Sequence, residues 1–272
     1  MKRAVVLGLG FVGQRFAAAL QAQGWTVAGT TRSPGGLLLA DAGPLVRAAD
    51  AVLATIPPAN DSDPALAALG EDLAAARGWI GYLSTTGAYG DRKGRWAFED
   101  DPPTPKGPEG ERRVAAEAAW RALPNPPHIF RLPGIFGRGR SGLDQIRAGT
   151  APRLSAGVVT CRVHADDIVS GLLASLARPN PGRIYNLADD APCESQVATA
   201  FAAELLGVEP PPLQPYDPAL VSPAGRRFFE QSRRVSNARA KAELGWRLSY
   251  PSYREGLTAI RAQEVADAAG RT

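Results

Sequence analysis

The residues best placed to do chemistry are three glycines close to the start of the chain. Ala4-Val5-Val6-Leu7-Gly8-Leu9-Gly10-Phe11-Val12-Gly13 runs a short apolar stretch into a G-x-G-x-x-G, and an Ala-rich helical pattern follows at once. A helix N-terminus carries partial positive charge and unpaired N–H groups, so it can hold a pyrophosphate. In such a turn the first glycine permits the tight bend, the second admits the phosphates to the backbone, and the third lets helix and strand pack closely. Gly8, Gly10, Phe11, Val12 and Gly13 are therefore candidate ligands of a dinucleotide. The plain alternative is an ordinary strand-to-helix turn, since glycine is common.

The next chemical residue is an arginine. Helix 11–23 is expected to end at Gly24, strand 25–30 follows, and Thr31-Arg32-Ser33 stands just beyond it. A carboxylate at that place would bind a ribose 2′-hydroxyl, whereas an arginine suits a 2′-phosphate. Arg32 lies between two hydroxyl residues with no acid beside it. Thr31 and Arg32 are assigned to NADP(H), with NAD(H) as the alternative cofactor; the plain reading of Arg32 is a solvated surface residue.

These residues need a frame to position them. A chain of 272 residues with 44% hydrophobic and 21% charged residues suits one large α/β unit or two closely joined ones. Strands at 50–56 and 79–83 alternate with a helix over 64–77, where Asp63 is the N-cap and Pro64 the first helical residue. Short apolar runs alternating with helical segments predict βαβ units and a parallel sheet, hence an α/β fold. Thr55, Ile56 and Pro57, where the third strand stops, join the candidate cofactor set. Ser84-Thr85-Thr86-Gly87-Ala88-Tyr89-Gly90 places hydroxyls and glycines at the C-terminal edge of the sheet, where open α/β sheets bind ligands. A long Pro- and Gly-rich loop over 91–108 reads as a lid or rim. Helix 109–122 and strand 128–132 come next.

Composition also sets exclusions. No run of apolar residues is long enough to span a bilayer, and the start lacks the pattern of a signal peptide, so a cytoplasmic protein is expected. Cys161 and Cys193 make neither a disulfide framework nor a metal set, and His128 and His164 give no zinc spacing, so no metal is expected. A net charge of +4 without a basic stripe interleaved with aromatics suits anionic ligands rather than nucleic acid. The partner expected is a small-molecule substrate, with no nucleic acid and no membrane, on a monomer or homodimer.

Five motifs in order carry a family resemblance: the glycine turn at 8–13, the 84–90 stretch, Arg131-Leu132-Pro133-Gly134-Ile135-Phe136-Gly137, Arg162-Val163-His164-Ala165-Asp166-Asp167-Ile168, and Ile184-Tyr185-Asn186-Leu187. Together they resemble the extended short-chain dehydrogenase/reductases, the NAD-dependent epimerase/dehydratase group. Leu244-Gly245-Trp246 and Tyr250-Pro251-Ser252-Tyr253 resemble the end of the same group. The resemblance implies a Rossmann-type doubly wound parallel α/β sheet of about seven strands, an NAD(P)-binding region over 1–137, and a smaller C-terminal substrate-binding region over 138–272. Strand 183–187 would return to the main sheet, and Pro133 would touch the cofactor.

In that family a Tyr serves as general acid/base, a Lys four residues on holds the ribose, and a Ser or Thr orients the substrate carbonyl. Counting from the motifs puts the hydroxyl role on Thr85, with Ser84 beside it. Counting back from Glu117, taken as the family glutamate, puts Arg113 at the Lys position and Glu109 at the Tyr position. No tyrosine lies between Gly90 and Tyr185. Arg113 keeps a positive charge and donors, whereas an ionised carboxylate at 109 accepts protons and donates none. Tyr89 is the other hydroxyl within reach of the strand end, its plain role being to pack under the loop. The resemblance is therefore closest to atypical members. Two functions follow: an NADP(H)-dependent oxidoreductase or epimerase on an unknown small molecule, or a silent nucleotide-binding sensor.

Overall fold

A computed structural model describes residues 1–59 and 62–270; the last two positions assigned to the C-terminal region, 271 and 272, lie outside the described residues. Six parallel strands form the central sheet: β1 (Arg3–Leu7), β2 (Thr26–Gly29), β3 (Ala51–Ala54), β4 (Trp79–Thr85), β5 (His128–Leu132) and β6 (Ile184–Asn186). Their spatial order is β2-β1-β3-β4-β5-β6. The order reverses between β1 and β3, so the crevice above those two strand ends is the switch point where such sheets bind ligands.

The sheet has six strands rather than about seven. After β2 the chain bends through Pro34-Gly35-Gly36, and its only pairing there, among the described residues, is the single bridge of Thr30 to Leu37. A 3-10 turn at Leu39–Asp41 and a short helix at Gly43–Arg47 then lead directly to β3. The segment is too short and too glycine-rich to lay down another strand.

Helices cover both faces. Helix α1 (Phe11–Ala22) buries Val12, Gly13, Phe16, Ala17 and Leu20, a spacing that keeps one stripe on the sheet. The later helix α4 (Ala165–Ala177) packs beside it. Helices α2 (Pro64–Ala75) and α3 (Pro108–Arg121) take the opposite face, α2 starting where the Asp63 carboxylate accepts from the N–H groups of Ala65 and Leu66. Trp79 joins Phe16, Phe130 and Leu172 in one core, and Tyr82 joins Trp120, Leu73 and Ile129 in the other.

Beyond β5 the chain leaves the sheet. Gly134–Phe136 pairs with Arg162–His164, and a satellite core of Phe136, Leu143, Ala202, Tyr253 and Leu257 forms between α5 (Ser195–Leu206) and α6 (Tyr253–Ala269). Asp167 binds this region to the main body: its fully buried carboxylate accepts the N–H groups of Ser249 and Tyr250 at 2.7 and 3.0 Å.

Candidate active site

Both ends of the first glycine's peptide are held by hydroxyls. Gly8 N–H donates to Thr30 Oγ1 at 2.9 Å, and Thr55 Oγ1 donates to the Gly8 carbonyl at 2.7 Å. Gly8 has φ +102°, a conformation that side chains disfavour. A Cβ on Gly13 would lie 2.3 Å from the Gly8 oxygen, so helix and turn touch backbone to backbone. Gly10 differs. It is the N-cap of α1 with no side-chain cap, and a Cβ there would meet nothing within 4 Å. The first turn of α1 has N–H groups with no intrahelical acceptor, and the space over Gly10 is open, which is the kind of cradle a pyrophosphate requires. The residues present fit a dinucleotide. Ile56 packs against Gly8, and Pro57 follows it, exposed.

Thr31 and Arg32 lie past β2 on the same edge. Thr31 Oγ1 accepts from Ser33 N–H at 3.1 Å, which shapes the turn. Arg32 is exposed and, among the described residues, has no hydrogen bond or ion pair. Thr30, which the sequence pattern did not single out, holds the glycine turn; its signal would have been a hydroxyl one residue past a strand beside a G-x-G.

The strand ends of β4, β5 and β6 carry a row of polar residues in register: Ser84, Arg131 and Asn186. Glu117 of α3 receives Arg131 as a fork, Nε to Oε1 at 3.0 Å and Nη2 to Oε2 at 2.7 Å, and accepts Ser84 Oγ at 2.5 Å. All three are buried. The Arg131 guanidinium stacks 4.7 Å from the Tyr89 ring, and the Tyr89 hydroxyl donates to Asn186 Oδ1 at 2.8 Å. Burial pushes the Tyr89 phenol above its ordinary value. Ser84 and Tyr89 therefore spend their hydroxyls inside the protein, beneath the turn at Thr86–Tyr89.

Thr85 is half-exposed and accepts from Gly87 N–H at 3.1 Å. It lines a cavity of about 340 Å³ together with Glu109, Pro133, Cys161, Lys106 and Arg233. Glu109, in the first turn of α3, is exposed at this opening. Arg113 turns the other way: its Nη1 donates to the Leu83 carbonyl at 2.9 Å and the Tyr82 hydroxyl at 3.1 Å. The structure brings Thr85, Glu109 and Pro133 to one cavity and leaves Ser84, Tyr89 and Arg113 in the supporting wall.

A larger cavity, about 980 Å³, opens on the far side of Gly134, Thr160, Cys161 and Phe228, residues that border both spaces. Its walls include Arg140, Arg153, Arg162, Phe136 and Tyr253. Among the described residues no His, Cys, Asp or Glu cluster could hold a metal ion, and no helix is long and apolar enough to cross a membrane.

A doubly wound sheet with a glycine turn at its switch point and a hydroxyl at the end of β4 is the fold of the extended short-chain dehydrogenase/reductases of NAD-dependent epimerase/dehydratase type. No protein-family model matches the chain. A conserved protein of unknown function from Silicibacter pomeroyi DSS is 40% identical, with a TM-score of 0.87 over 97% of this chain and 99% of that one. At that similarity the chain belongs to the same family as the Silicibacter protein.

Protein YeeZ of Escherichia coli (strain K12) is 29% identical over 92% of this chain and 97% of its own length. A 3-diazoavenalumate denitrifying reductase from Streptomyces sp is 30% identical over 47% of this chain and 45% of its own. Structures of more distant sequence share the fold. MoeE5 with UDP-glucuronic acid and NAD has 20% identity and a TM-score of 0.79, over 97% of this chain and 99% of that one. The human epimerase family protein SDR39U1 with NADPH has 18% identity and a TM-score of 0.78, over 96% and 99%. Neighbours in fold thus bind NAD or NADPH.

Proposed function

We propose that the protein is an NADP(H)-dependent oxidoreductase or epimerase-like enzyme acting on a small organic molecule. The observation that carries this reading is the open cradle over Gly10, bordered by Arg32 at one end of the sheet edge and the Thr85 cavity at the other. The N–H groups at the start of α1 would take the pyrophosphate, Arg32 the 2′-phosphate, and Pro133 would lie against the nicotinamide end. A bound nicotinamide dinucleotide supplies or takes up a hydride.

The chain's own residues then orient the substrate and handle the proton. Thr85 presents a hydroxyl to the substrate oxygen. Glu109 borders the same cavity with a carboxylate that, when ionised, only accepts. That arrangement favours removing a proton from an alcohol over giving one to a forming alkoxide. Arg113 braces the end of β4 through the Leu83 carbonyl. The relative named as a reductase supports redox chemistry over pure binding.

A second reading, a nucleotide-binding sensor without turnover, is favoured by the same two positions, since Glu109 and Arg113 stand where the family carries Tyr and Lys. Titration with NADPH and NADH tests the cofactor assignment. An arginine–phosphate pair contributes about 1.5–3 kcal/mol, so NADPH should bind roughly tenfold to a hundredfold tighter, and Arg32→Asp should close that gap. Equal affinities in the unaltered protein would remove the NADP(H) preference. Tight NADPH binding with no turnover of any carbonyl or alcohol in a broad panel would favour the sensor.

A further inference from the structure

The large cavity is unevenly charged. Arg140, Arg153 and Arg162 line it, and its one lining carboxylate, among the described residues, is Asp144. Asp144 is occupied at the start of a helix, where Oδ2 accepts Ser141 N–H at 2.8 Å and Ser141 Oγ at 2.7 Å. Two of the arginines are poorly satisfied. Arg153 has a buried Nε without a partner, and its Nη1 reaches only the Pro211 carbonyl, at 3.3 Å. Arg162 points Nη1 at the Cys193 sulfur at 3.3 Å and Nη2 at Ser195 Oγ at 3.4 Å. A thiol sulfur is a weak acceptor and the second contact is long, so neither replaces an anion.

One acid, Asp189, attracts Arg162 only to the extent that it is ionised. Asp189 is 2% exposed, and neither carboxylate oxygen makes a hydrogen bond. Burial pushes its carboxyl up to about 7, so near neutral pH much of it is uncharged. Arg162 is left with two terminal nitrogens turned toward weak acceptors, the geometry that grips both oxygens of one carboxylate. Arg140 is drawn elsewhere, over the Phe11 ring at 5.5 Å beside the glycine turn. One fork thus acts on one two-oxygen group, and Arg153 adds positive potential from the rim.

The rest of the wall mixes hydroxyl and amide residues such as Thr160, Thr199 and Gln214 with a set of apolar side chains. Phe136, Phe228, Phe229 and Tyr253 bring aromatic rings to the wall and Leu154 an aliphatic surface, a lining suited to a flat hydrocarbon body. Phe228 and Cys161 also border the Thr85 cavity, so such a body can extend from Arg162 toward the strand end. We propose that the larger cavity binds an aromatic carboxylic acid, with its carboxylate on Arg162 and its reacting end directed to Thr85. This rests on the reading of the Thr85 cavity as the reaction site, and it names the class of substrate.

The test is calorimetric titration of the full chain, with and without NADPH, using 3-phenylpropionate, its uncharged amide, phenyl phosphate and UDP. 3-Phenylpropionate should bind and its amide should not. Arg162→Gln should weaken the acid by about tenfold to a hundredfold, and Phe228→Ala should weaken it too, while NADPH affinity stays unchanged. If the Gln variant does not fold, Arg162→Lys keeps the charge but loses the fork, and a smaller loss is expected. UDP binding tighter than the acid would overturn the proposal in favour of a nucleotide. Unchanged acid affinity in the Arg162 variants, or no binding by any probe, would also overturn it. Failure to bind NADPH while the acid still binds would reject the cofactor reading alone.

Discussion

The glycine turn and the head of α3 flank the same sheet edge and are built in opposite ways. At the turn almost everything is backbone: Gly13 touches the Gly8 carbonyl, two threonine hydroxyls pin the Gly8 peptide, and the space over Gly10 stays open. Around α3 almost everything is side chain: Glu117, Arg131, Ser84, Tyr89 and Asn186 share one buried set of hydrogen bonds. The first arrangement suits any dinucleotide, because it offers N–H groups and room. The second fixes the strand ends through partners drawn from different elements, with Arg113 adding a brace on the Leu83 carbonyl. The difference is one between a backbone feature, which tolerates many side chains around it, and a side-chain network, which depends on each of its members.

The largest effect on the fold should come from the side-chain region. Glu117→Ala leaves the Arg131 guanidinium buried and uncompensated, and breaking such a pair costs about 3–5 kcal/mol. Urea denaturation should show a midpoint far below that of the parent. Replacing both partners with apolar residues of similar volume, Glu117→Leu with Arg131→Met, should recover much of the loss, because no stranded charge remains. If Glu117→Ala unfolds at the parental midpoint, the network is not what anchors the strand ends.

A smaller effect, and a sharper contrast, is expected within the turn itself. Gly13→Ala puts a methyl 2.3 Å from a backbone oxygen, so helix and strand must separate, at about 1–3 kcal/mol. Gly10→Val meets nothing in the protein and should melt close to the parent, yet its side chain enters the space where the phosphates would lie. Thermal melting and NADPH titration read the two effects separately. A Gly10→Val protein that binds NADPH as well as the parent would move the phosphates away from this turn.

The same contrast decides how much was legible in the sequence. Glycine spacing and strand–helix alternation report backbone requirements, so the parallel sheet and the place of the turn could be read directly. Glu117 was visible only as a counting mark; its pairing with Arg131 joins residues from different elements, and no local pattern encodes that. Tyr89 looked like a spare hydroxyl until Asn186, almost a hundred positions later in the chain, was seen to take it. Arg113 was placed only by its count from Glu117, and its bonds to the Leu83 carbonyl and the Tyr82 hydroxyl across to β4 have no local signal. Asp167 and Asp189 follow the same rule: one buried carboxylate has two N–H partners, the other has none, and neighbouring residues do not distinguish them. The seventh strand came from the family resemblance alone; after β2 the chain bends through Pro34-Gly35-Gly36 and forms a single bridge in place of a strand.

The smallest effect on the fold is expected at Glu109, which makes it the cleanest probe of the altered chemistry. The residue is exposed in the first turn of α3, where a carboxylate contributes about 0.3–1 kcal/mol through the helix dipole, so Glu109→Gln should cost little stability. Its effect on turnover should depend on direction. A carboxylate at the cavity can take the proton of an alcohol, so NADP⁺-linked oxidation should fall in Glu109→Gln, while carbonyl reduction, already without a phenol, should hardly change. Glu109→Tyr with Arg113→Lys should do the reverse and raise carbonyl reduction, within the roughly 10²–10⁴-fold that a positioned acid contributes. The gain should fall at the low end of that range, because removing Arg113 also removes the brace on the Leu83 carbonyl. Thr85→Val should lower both directions, since each needs the substrate oxygen held. Rates measured in both directions at fixed NADP(H), with melting temperature as the control, separate these outcomes. Equal losses in oxidation and reduction for Glu109→Gln would make Glu109 a residue of the cavity wall, and the proton would have to pass through another group of that cavity, with the Lys106 ammonium a candidate.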